Sequence, residues 1–180
     1  MPTVRTGEST CIGHPDKLCD LIADTILDDL LVTDPAARCA VEVMATKGRI
    51  IAAGVSTSLE ARDGNESAFV LTGAGDQGTV YGYATAETRE RLPLLVIAHD
   101  ICKRLDTARV DGVIRGIGSD GKSQVSLRYD DDGHATDMEA VVVSIQHTKD
   151  TDLEELRRQV TNLITPAFVS VSYTHLRAHE

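Results

Sequence analysis

Hydrophobic residues recur at helical spacing in three segments of the chain. Residues 15–31 carry an apolar stripe opposite aspartates that recur every four residues, and residues 91–105 repeat the apolar period. A third stripe follows Thr151, which forms a capping-box pattern with Glu154. Pro15 suits a first helical turn, where its missing N–H is no loss. The pattern therefore predicts three amphipathic helices.

Two other parts of the chain read as β-hairpins. Residues 39–46 and 49–55 are apolar runs separated only by Lys47-Gly48. Residues 123–129 alternate apolar and polar side chains, and residues 138–146 follow them across an acidic turn. Because strand pairs alternate with helices, we predict an α+β fold in which helices cover largely antiparallel sheets.

Composition excludes some classes of function. The 180 residues are 42% hydrophobic, which suffices for one domain or two small lobes. No apolar run approaches the roughly 18 to 20 residues of a membrane span, and the start lacks a secretion signal, so we expect a cytoplasmic protein without a membrane partner. The formal net charge of −10 disfavours nucleic acid as a partner. A small nucleotide can still bind through a few cations or a bridging metal.

The four cysteines show no Cys-x-x-Cys spacing and lie in apolar or helical surroundings. They are Cys11, Cys19, Cys39 and Cys102. We therefore predict buried, reduced thiols rather than a zinc site or a disulfide framework.

The start of the first helix is dense in chemically active groups. Gly13 precedes His14, Pro15, Asp16 and Lys17. A helix N-terminus and a lysine favour a phosphate, an aspartate can bind Mg²⁺, and an imidazole can donate a hydrogen bond to a leaving oxygen. The simpler interpretation is an ordinary helix start with solvated charges.

Three further features are weaker by themselves. The glycine-rich residues 73–78 bring backbone and Asp76 close to a ligand, or they only turn the chain. Asp120-Gly121-Lys122 offers a carboxylate and an ammonium for a nucleotide, or is a polar turn. Glu42 interrupts an apolar strand, either as an edge or lobe-interface residue or as a buried carboxylate that needs a cation or hydrogen-bond donors.

In combination, these motifs resemble the S-adenosylmethionine synthetase family over residues 3–168. The resemblance rests on Glu8-Ser9, Gly13-His14-Pro15-Asp16-Lys17, Asp34-Pro35, Glu42, residues 73–78, residues 81–88, residues 120–125 and residues 144–147. It implies two pseudo-symmetric α+β lobes: an N-terminal domain at 1–66 and a central domain at 67–168, with the third family domain missing. Residues 169–180 do not continue the pattern, and we interpret them as a tail produced by a read-through or assembly artefact.

The resemblance implies a methionine adenosyltransferase, which joins ATP to L-methionine and releases phosphate and pyrophosphate. It implies active sites shared between subunits of a homodimer or a dimer of dimers. It also implies Mg²⁺, two ions per site, and K⁺. The residues that it assigns are His14, Lys17 and Lys122 for the leaving tripolyphosphate, Asp16 for Mg²⁺, Glu42 for K⁺, Asp120 and Glu8 for the nucleotide and Asp76 near methionine.

Three departures from the family pattern leave alternatives open. Val55 and Ile12 stand where the family usually has glutamates. The short stretch between Val55 and Gly73 lacks the family's mobile-loop insertion. We therefore expect little turnover from this incomplete chain alone. A noncatalytic nucleotide-binding partner of a loop-bearing homologue is the alternative, and an unrelated phosphotransferase or hydrolase has no motif of its own.

Overall fold

The computed structural model describes residues 3–57, 79–85 and 93–170. Within these ranges all strand pairs are antiparallel and three helices accompany them, which confirms the predicted α+β class. In chain order the elements are β1 (Thr3–Thr10), α1 (Pro15–Thr33), β2 (Arg38–Thr46), β3 (Arg49–Thr57), α2 (Pro93–Val110), β4 (Ile117–Tyr129), β5 (Ala135–His147) and α3 (Leu153–Ser170).

The chain divides into two compact units. The first unit comprises Met1–His14 with Tyr83–Glu180, and the second comprises Pro15–Gly82. This division follows spatial contacts, whereas the predicted domain boundaries at residues 66 and 168 follow sequence resemblance. Those boundaries stay a prediction.

The first unit is built on a three-stranded sheet in the order β1-β4-β5. Helix α2 packs against β1 and β4 and also contacts α3. Ile97, Ile101 and Leu105 recur at helical spacing and are fully buried, as are Val125 and Leu127 on β4. Removing such side chains from water is the main stabilising contribution to this unit.

The second unit pairs α1 with the β2–β3 hairpin. Lys47 and Gly48 join the strands as predicted, and the positive φ of 73° at Gly48 is a conformation that a glycine adopts without steric cost. Helix α1 contacts β2 but contains no fully buried residue. Its apolar stripe is therefore only half covered by the hairpin.

Strand β1 and the first part of β4 were not predicted. β1 consists mostly of polar side chains, and its partner strand lies far along the chain. Thr3 pairs with Tyr129, and Thr10 pairs with Lys122. β4 begins at Ile117, before the predicted start at residue 123, and its pairing with β5 is irregular between Ile117 and Gly121. The missed residues lack a period of two because an irregular ladder does not keep side chains in alternation.

The predicted capping role of Thr151 is wrong. The Asp152 carboxylate accepts hydrogen bonds from the backbone N–H groups of Glu154 and Glu155, at 2.9 and 3.2 Å. The Thr151 hydroxyl instead lies 2.9 Å from the Thr148 hydroxyl. An aspartate caps at least as well as a threonine, and here it directly precedes the helix.

None of the four cysteines, all within the described ranges, forms a disulfide, which confirms the predicted thiols. Cys11 and Cys102 are buried, whereas Cys19 and Cys39 are only partly buried. The prediction of burial was therefore wrong for two of them, which lie in the less covered second unit. No helix in the described residues is long and apolar enough to cross a membrane.

Candidate functional site

The loop after β1 is held against the start of β4 by backbone hydrogen bonds. The N–H of Cys11 donates to the Gly121 carbonyl at 2.8 Å, and the N–H of Gly13 donates to the Ser119 carbonyl at 2.9 Å. A Cβ atom at Gly13 would lie 2.1 Å from the Ser119 hydroxyl oxygen and 2.8 Å from its carbonyl carbon, so only glycine fits. The neighbouring His14 is therefore fixed beside the segment that carries Asp120 and Lys122.

The β1–β4 pairing brings Glu8 and Lys122 to one face of the sheet. Thr10 lies opposite Lys122, so Glu8 is a diagonal neighbour of Lys122. The Lys122 ammonium donates to a Glu8 carboxylate oxygen at 3.1 Å, and the two side chains are 36% and 56% exposed. Such an accessible pair adds only about 0–1 kcal/mol to stability. Its ammonium remains reachable by an anion.

Asp120 lies two residues before Lys122, in the irregular part of β4. Its side chain is partly buried, and no described residue forms an ion pair or side-chain hydrogen bond with it. A carboxylate in this position can accept hydrogen bonds from a ligand hydroxyl or amine.

The other predicted site residues belong to the second unit or lie outside the residues that the structure describes. Asp16 and Lys17 are exposed in the first turn of α1. Glu42 is exposed on β2 beside Met44, which is 54% exposed, while Val41 and Val43 on the opposite face are partly buried. Glu42 therefore lies on the solvent-facing side of the strand, and its role in binding K⁺ stays a prediction. Asp76 and residues 73–78 lie outside the described residues.

Within the first unit, the structure brings together residues from three separate sequence motifs. Glu8 comes from β1, His14 from the loop that follows it, and Asp120 and Lys122 from β4 more than one hundred residues later. The group offers an ammonium, an imidazole and two carboxylates at one end of a strand pair. That set of side chains suits a phosphate-bearing ligand with hydroxyl groups.

A buried polar cluster lies on the helix-facing side of the same strands, and the sequence did not reveal it. The Ser9 hydroxyl lies 2.6 Å from Nδ1 of His99, and the Ser123 hydroxyl donates to the Ala98 carbonyl at 2.7 Å. The Cys102 thiol donates to the Ser9 carbonyl at 3.3 Å. Ser9 pairs with Ser123 in the sheet, so this Ser9–Ser123 polar cluster ties α2 to the two strands that carry Glu8 and Lys122.

His99 is exposed on α2, and its spacing in the sequence matches no set of metal ligands. Its contact with Ser9 gives it a structural role at the junction of β1 and α2. The sequence feature that could have revealed this cluster is the pair Ser9 and Ser123, which lie directly opposite each other on β1 and β4. That pairing can be recognised only once β1 is known to be a strand.

Hydrogen bonding shifts the acidity of one thiol in this cluster. Hydrogen bonding with Cys11, Ser123 and Ser9 lowers the pKa of Cys102 to about 6, although burial acts in the opposite direction. Cys102 is only 2% exposed. Its role is therefore internal to the cluster rather than contact with a ligand.

The turn between β4 and β5 gathers a second group of acidic and imidazole side chains. Asp130, Asp132 and His134 are close enough to share a cation. One oxygen of Asp130 already accepts the backbone N–H groups of Asp132 and His134, at 3.0 and 2.8 Å. His134 is exposed. The geometry is that of a side chain closing a turn.

Comparisons with known proteins cover almost the entire chain. Residues 3–69 match the model of the S-adenosylmethionine synthetase N-terminal domain, and residues 71–179 match that of the central domain. The chain is 34% identical to an S-adenosylmethionine synthase of Corynebacterium kroppenstedtii, over 95% of this chain and 56% of the relative. It is 38% identical to one of Mycoplasmopsis pulmonis, over 92% and 53% respectively. The chain thus spans about half the length of these curated relatives.

Proposed function

The chain belongs to the S-adenosylmethionine synthetase family, and we propose that it acts as part of a methionine adenosyltransferase. Such an enzyme forms S-adenosylmethionine from ATP and L-methionine and releases phosphate and pyrophosphate. The observation that supports the proposal most strongly is the junction of β1 and β4, which gathers Glu8, His14 and Lys122 from distant motifs. We also propose a cytoplasmic location, where ATP and K⁺ are abundant.

The reaction explains why cations and hydrogen-bond donors matter more than a general base. The methionine sulfur carries no proton, so it can attack C5′ of ATP without losing one. The chemical difficulty is the charge that develops on the departing tripolyphosphate, and preorganised donors aimed at that charge lower the barrier. Binding both substrates in line supplies a further part of the rate.

We assign roles to the chain's own residues on this basis. Lys122 and Lys17 bind phosphate oxygens as ammonium donors, and His14 donates a hydrogen bond to the leaving oxygen. Glu8 holds the Lys122 ammonium at 3.1 Å and so restricts where that charge can lie. Asp120, without a partner among the described residues, accepts hydrogen bonds from the nucleoside. Asp76 is proposed for the methionine side on sequence alone.

The residues proposed for metal binding have suitable donor chemistry. Asp16 and Glu42 are exposed carboxylates, and Mg²⁺ and K⁺ are hard cations that prefer oxygen ligands. Asp16 would bind Mg²⁺ at the start of α1, and Glu42 would bind K⁺ on β2. When bound, the ions neutralise phosphate charge and orient the polyphosphate.

A homodimer or a dimer of dimers is the proposed assembly. The second candidate function is that of a noncatalytic partner that binds nucleotide beside a loop-bearing homologue. Val55 in place of the usual glutamate and the short stretch that follows it favour this candidate. The two candidates agree on a nucleotide site and differ in whether this chain turns over substrate.

The test measures S-adenosylmethionine by mass spectrometry after incubation with ATP, methionine, Mg²⁺ and K⁺. The chain is assayed in three samples: the chain alone, the Corynebacterium kroppenstedtii synthase alone, and the two together. Product from the chain alone supports the catalytic role. If the mixture forms more S-adenosylmethionine than the synthase alone, that gain supports the partner role.

The matched variants are Lys122→Met and Lys149→Met. Each removes one ammonium, but Lys149 lies in the exposed turn before α3, away from the β1–β4 junction. The proposal predicts that only Lys122→Met abolishes the gain. Absence of both product and gain, with no binding of ATP by calorimetry, would refute both candidate functions.

A further inference from the structure

A cavity of about 510 Å³ opens beside the outer end of the β1–β4 pair. Its lining comes from β1, from the first turn of α2, from the end of β4 and from Tyr83, all within the first unit. The volume falls in the range of small-molecule sites, which is about 300–1,000 Å³. None of the residues assigned to the nucleotide lines it.

Among the described residues, the cavity is lined by one cation and by mostly apolar walls. The walls include Leu94, Leu95 and the ring of Tyr129, and the cation is Arg5. The guanidinium carbon of Arg5 lies 4.5 Å from the Tyr129 ring centre and 6.0 Å from that of Tyr83. These aromatic contacts favour one orientation of the guanidinium group and stabilise its charge.

Arg5 retains hydrogen-bonding capacity that the described part of the chain does not use. A guanidinium group has five N–H donors, and Arg5 uses one of its nitrogens to donate to the Tyr83 hydroxyl at 3.0 Å. No carboxylate of the described residues lies within ion-pair distance of Arg5. By contrast, four of the six other described arginines of this unit pair with a carboxylate, namely Arg104, Arg128, Arg157 and Arg158, whereas Arg109 and Arg115 form no ion pair with a described residue.

The contrast is informative in a chain with a formal net charge of −10, where carboxylates are plentiful. A guanidinium group with spare donors beside apolar walls matches a ligand with one carboxylate and an apolar body. Guanidinium and carboxylate form paired, charge-assisted hydrogen bonds, and the walls recognise the remainder. We propose that the Arg5 cavity binds a small apolar monocarboxylate, at a site separate from the nucleotide site.

The test compares two probes that differ only in charge. Cyclohexylacetate has a carboxylate, and cyclohexylacetamide has the same apolar body without the charge. Binding to the full chain is followed by tyrosine fluorescence, because the chain has four tyrosines and no tryptophan, and two of the tyrosines line the cavity. Neither probe contains an aromatic group that would interfere.

We expect saturable binding of the acid in the millimolar range, as is usual for about ten non-hydrogen atoms, with the amide about tenfold weaker. Arg5→Gln should reduce the affinity for the acid to that for the amide. Arg157→Gln, which removes an equal charge from an exposed turn of α3, should leave both affinities unchanged. Leu95→Ala should lower the affinity for both probes to the same extent, because it removes part of the apolar wall that both probes contact.

Equal affinities of the wild-type chain for acid and amide would overturn the proposal, as would equal losses in Arg5→Gln and Arg157→Gln. Absence of saturation by either probe would also overturn it. The probe pair is decisive on the wild-type chain alone, so the conclusion survives a variant that fails to fold. Acetate, an anion without an apolar body, should not compete at the same concentrations.

Discussion

The two units of this chain are stabilised in different ways. The first unit has a closed apolar core in which α2 covers the sheet. Side chains such as Ile97, Leu105 and Leu127 are fully buried there. In the second unit, α1 has no fully buried residue, and apolar side chains of the hairpin such as Met44 and Ile51 are about half exposed.

The difference bears on where the candidate site is preorganised. Glu8, His14 and Lys122 are attached to strands and a loop that the first core and the Ser9–Ser123 polar cluster hold in place. Asp16, Lys17 and Glu42 lie on a helix and a hairpin with less buried surface to fix them. The first three side chains are therefore expected to be better ordered in this chain than the last three.

The largest expected effect is the loss of stability on truncating a core leucine of the first unit, compared with a matched truncation in the second unit. Leu127→Ala should lower the free energy of unfolding by about 2–5 kcal/mol, because it leaves a cavity in a closed core. Leu21→Ala on α1, where the side chain is 56% exposed, should cost about 1 kcal/mol or less. Urea unfolding followed by circular dichroism measures both. Equal costs would abolish the distinction between the units.

A second prediction concerns the loop that carries His14. Gly13→Ala should destabilise the first unit by about 1–3 kcal/mol, because the new methyl group meets Ser119 and the loop must move. ATP affinity should fall with it. Gly82→Ala is the matched control, since a Cβ at Gly82 meets nothing within 4 Å. Calorimetric titration with ATP checks the prediction, and unchanged affinity in Gly13→Ala would count against the fixed loop.

The third prediction tests the polar cluster between α2 and the sheet. Ser123→Ala should cost about 1 kcal/mol, since it removes the hydrogen bond to the Ala98 carbonyl and leaves Cys102 with one partner fewer. Ser144→Ala, at an exposed position of β5, should be nearly neutral. The comparison uses the same urea unfolding. A neutral Ser123→Ala would mean that the cluster adds nothing to the rigidity of the first unit.

The last prediction concerns the direction in which stability depends on pH. The pKa of Cys102 is lowered from 9.0 to about 6 in the folded chain. A lowered folded pKa contributes stability that is fully present above the unfolded pKa and is lost as the pH falls through the folded one. The stability of the wild-type chain relative to Cys102→Ser should therefore rise between pH 6 and pH 9. Urea unfolding in a reducing buffer measures it, and a flat or falling difference would contradict the assignment.

Local patterns sufficed to predict most helices and hairpins because their signals lie within a few residues. Pro15 began α1, and Lys47-Gly48 joined β2 to β3 as expected. The apolar stripe of α2 was recognised, although the helix continues to Val110, five residues beyond the predicted end. Propensity and period decide such elements before tertiary contacts form.

Long-range pairing was not accessible to the same reasoning. β1 is a polar strand whose partner lies over one hundred residues away, so no local period marks it. The motifs predicted functional roles for Glu8 and Lys122, but only the β1–β4 register explains why the two side chains touch. The Arg5 cavity was missed for the same reason, since Arg5 and Tyr129 meet through that pairing.

The most direct measurement of the central claim is calorimetric titration of the full chain with tripolyphosphate in the presence of Mg²⁺. Lys122→Met should weaken binding about tenfold or more, because it removes a charge-assisted contact of about 1.5–3 kcal/mol. Lys149→Met should bind like the wild-type chain. If the two variants bind equally well, the β1–β4 junction is not the phosphate site and the account is wrong.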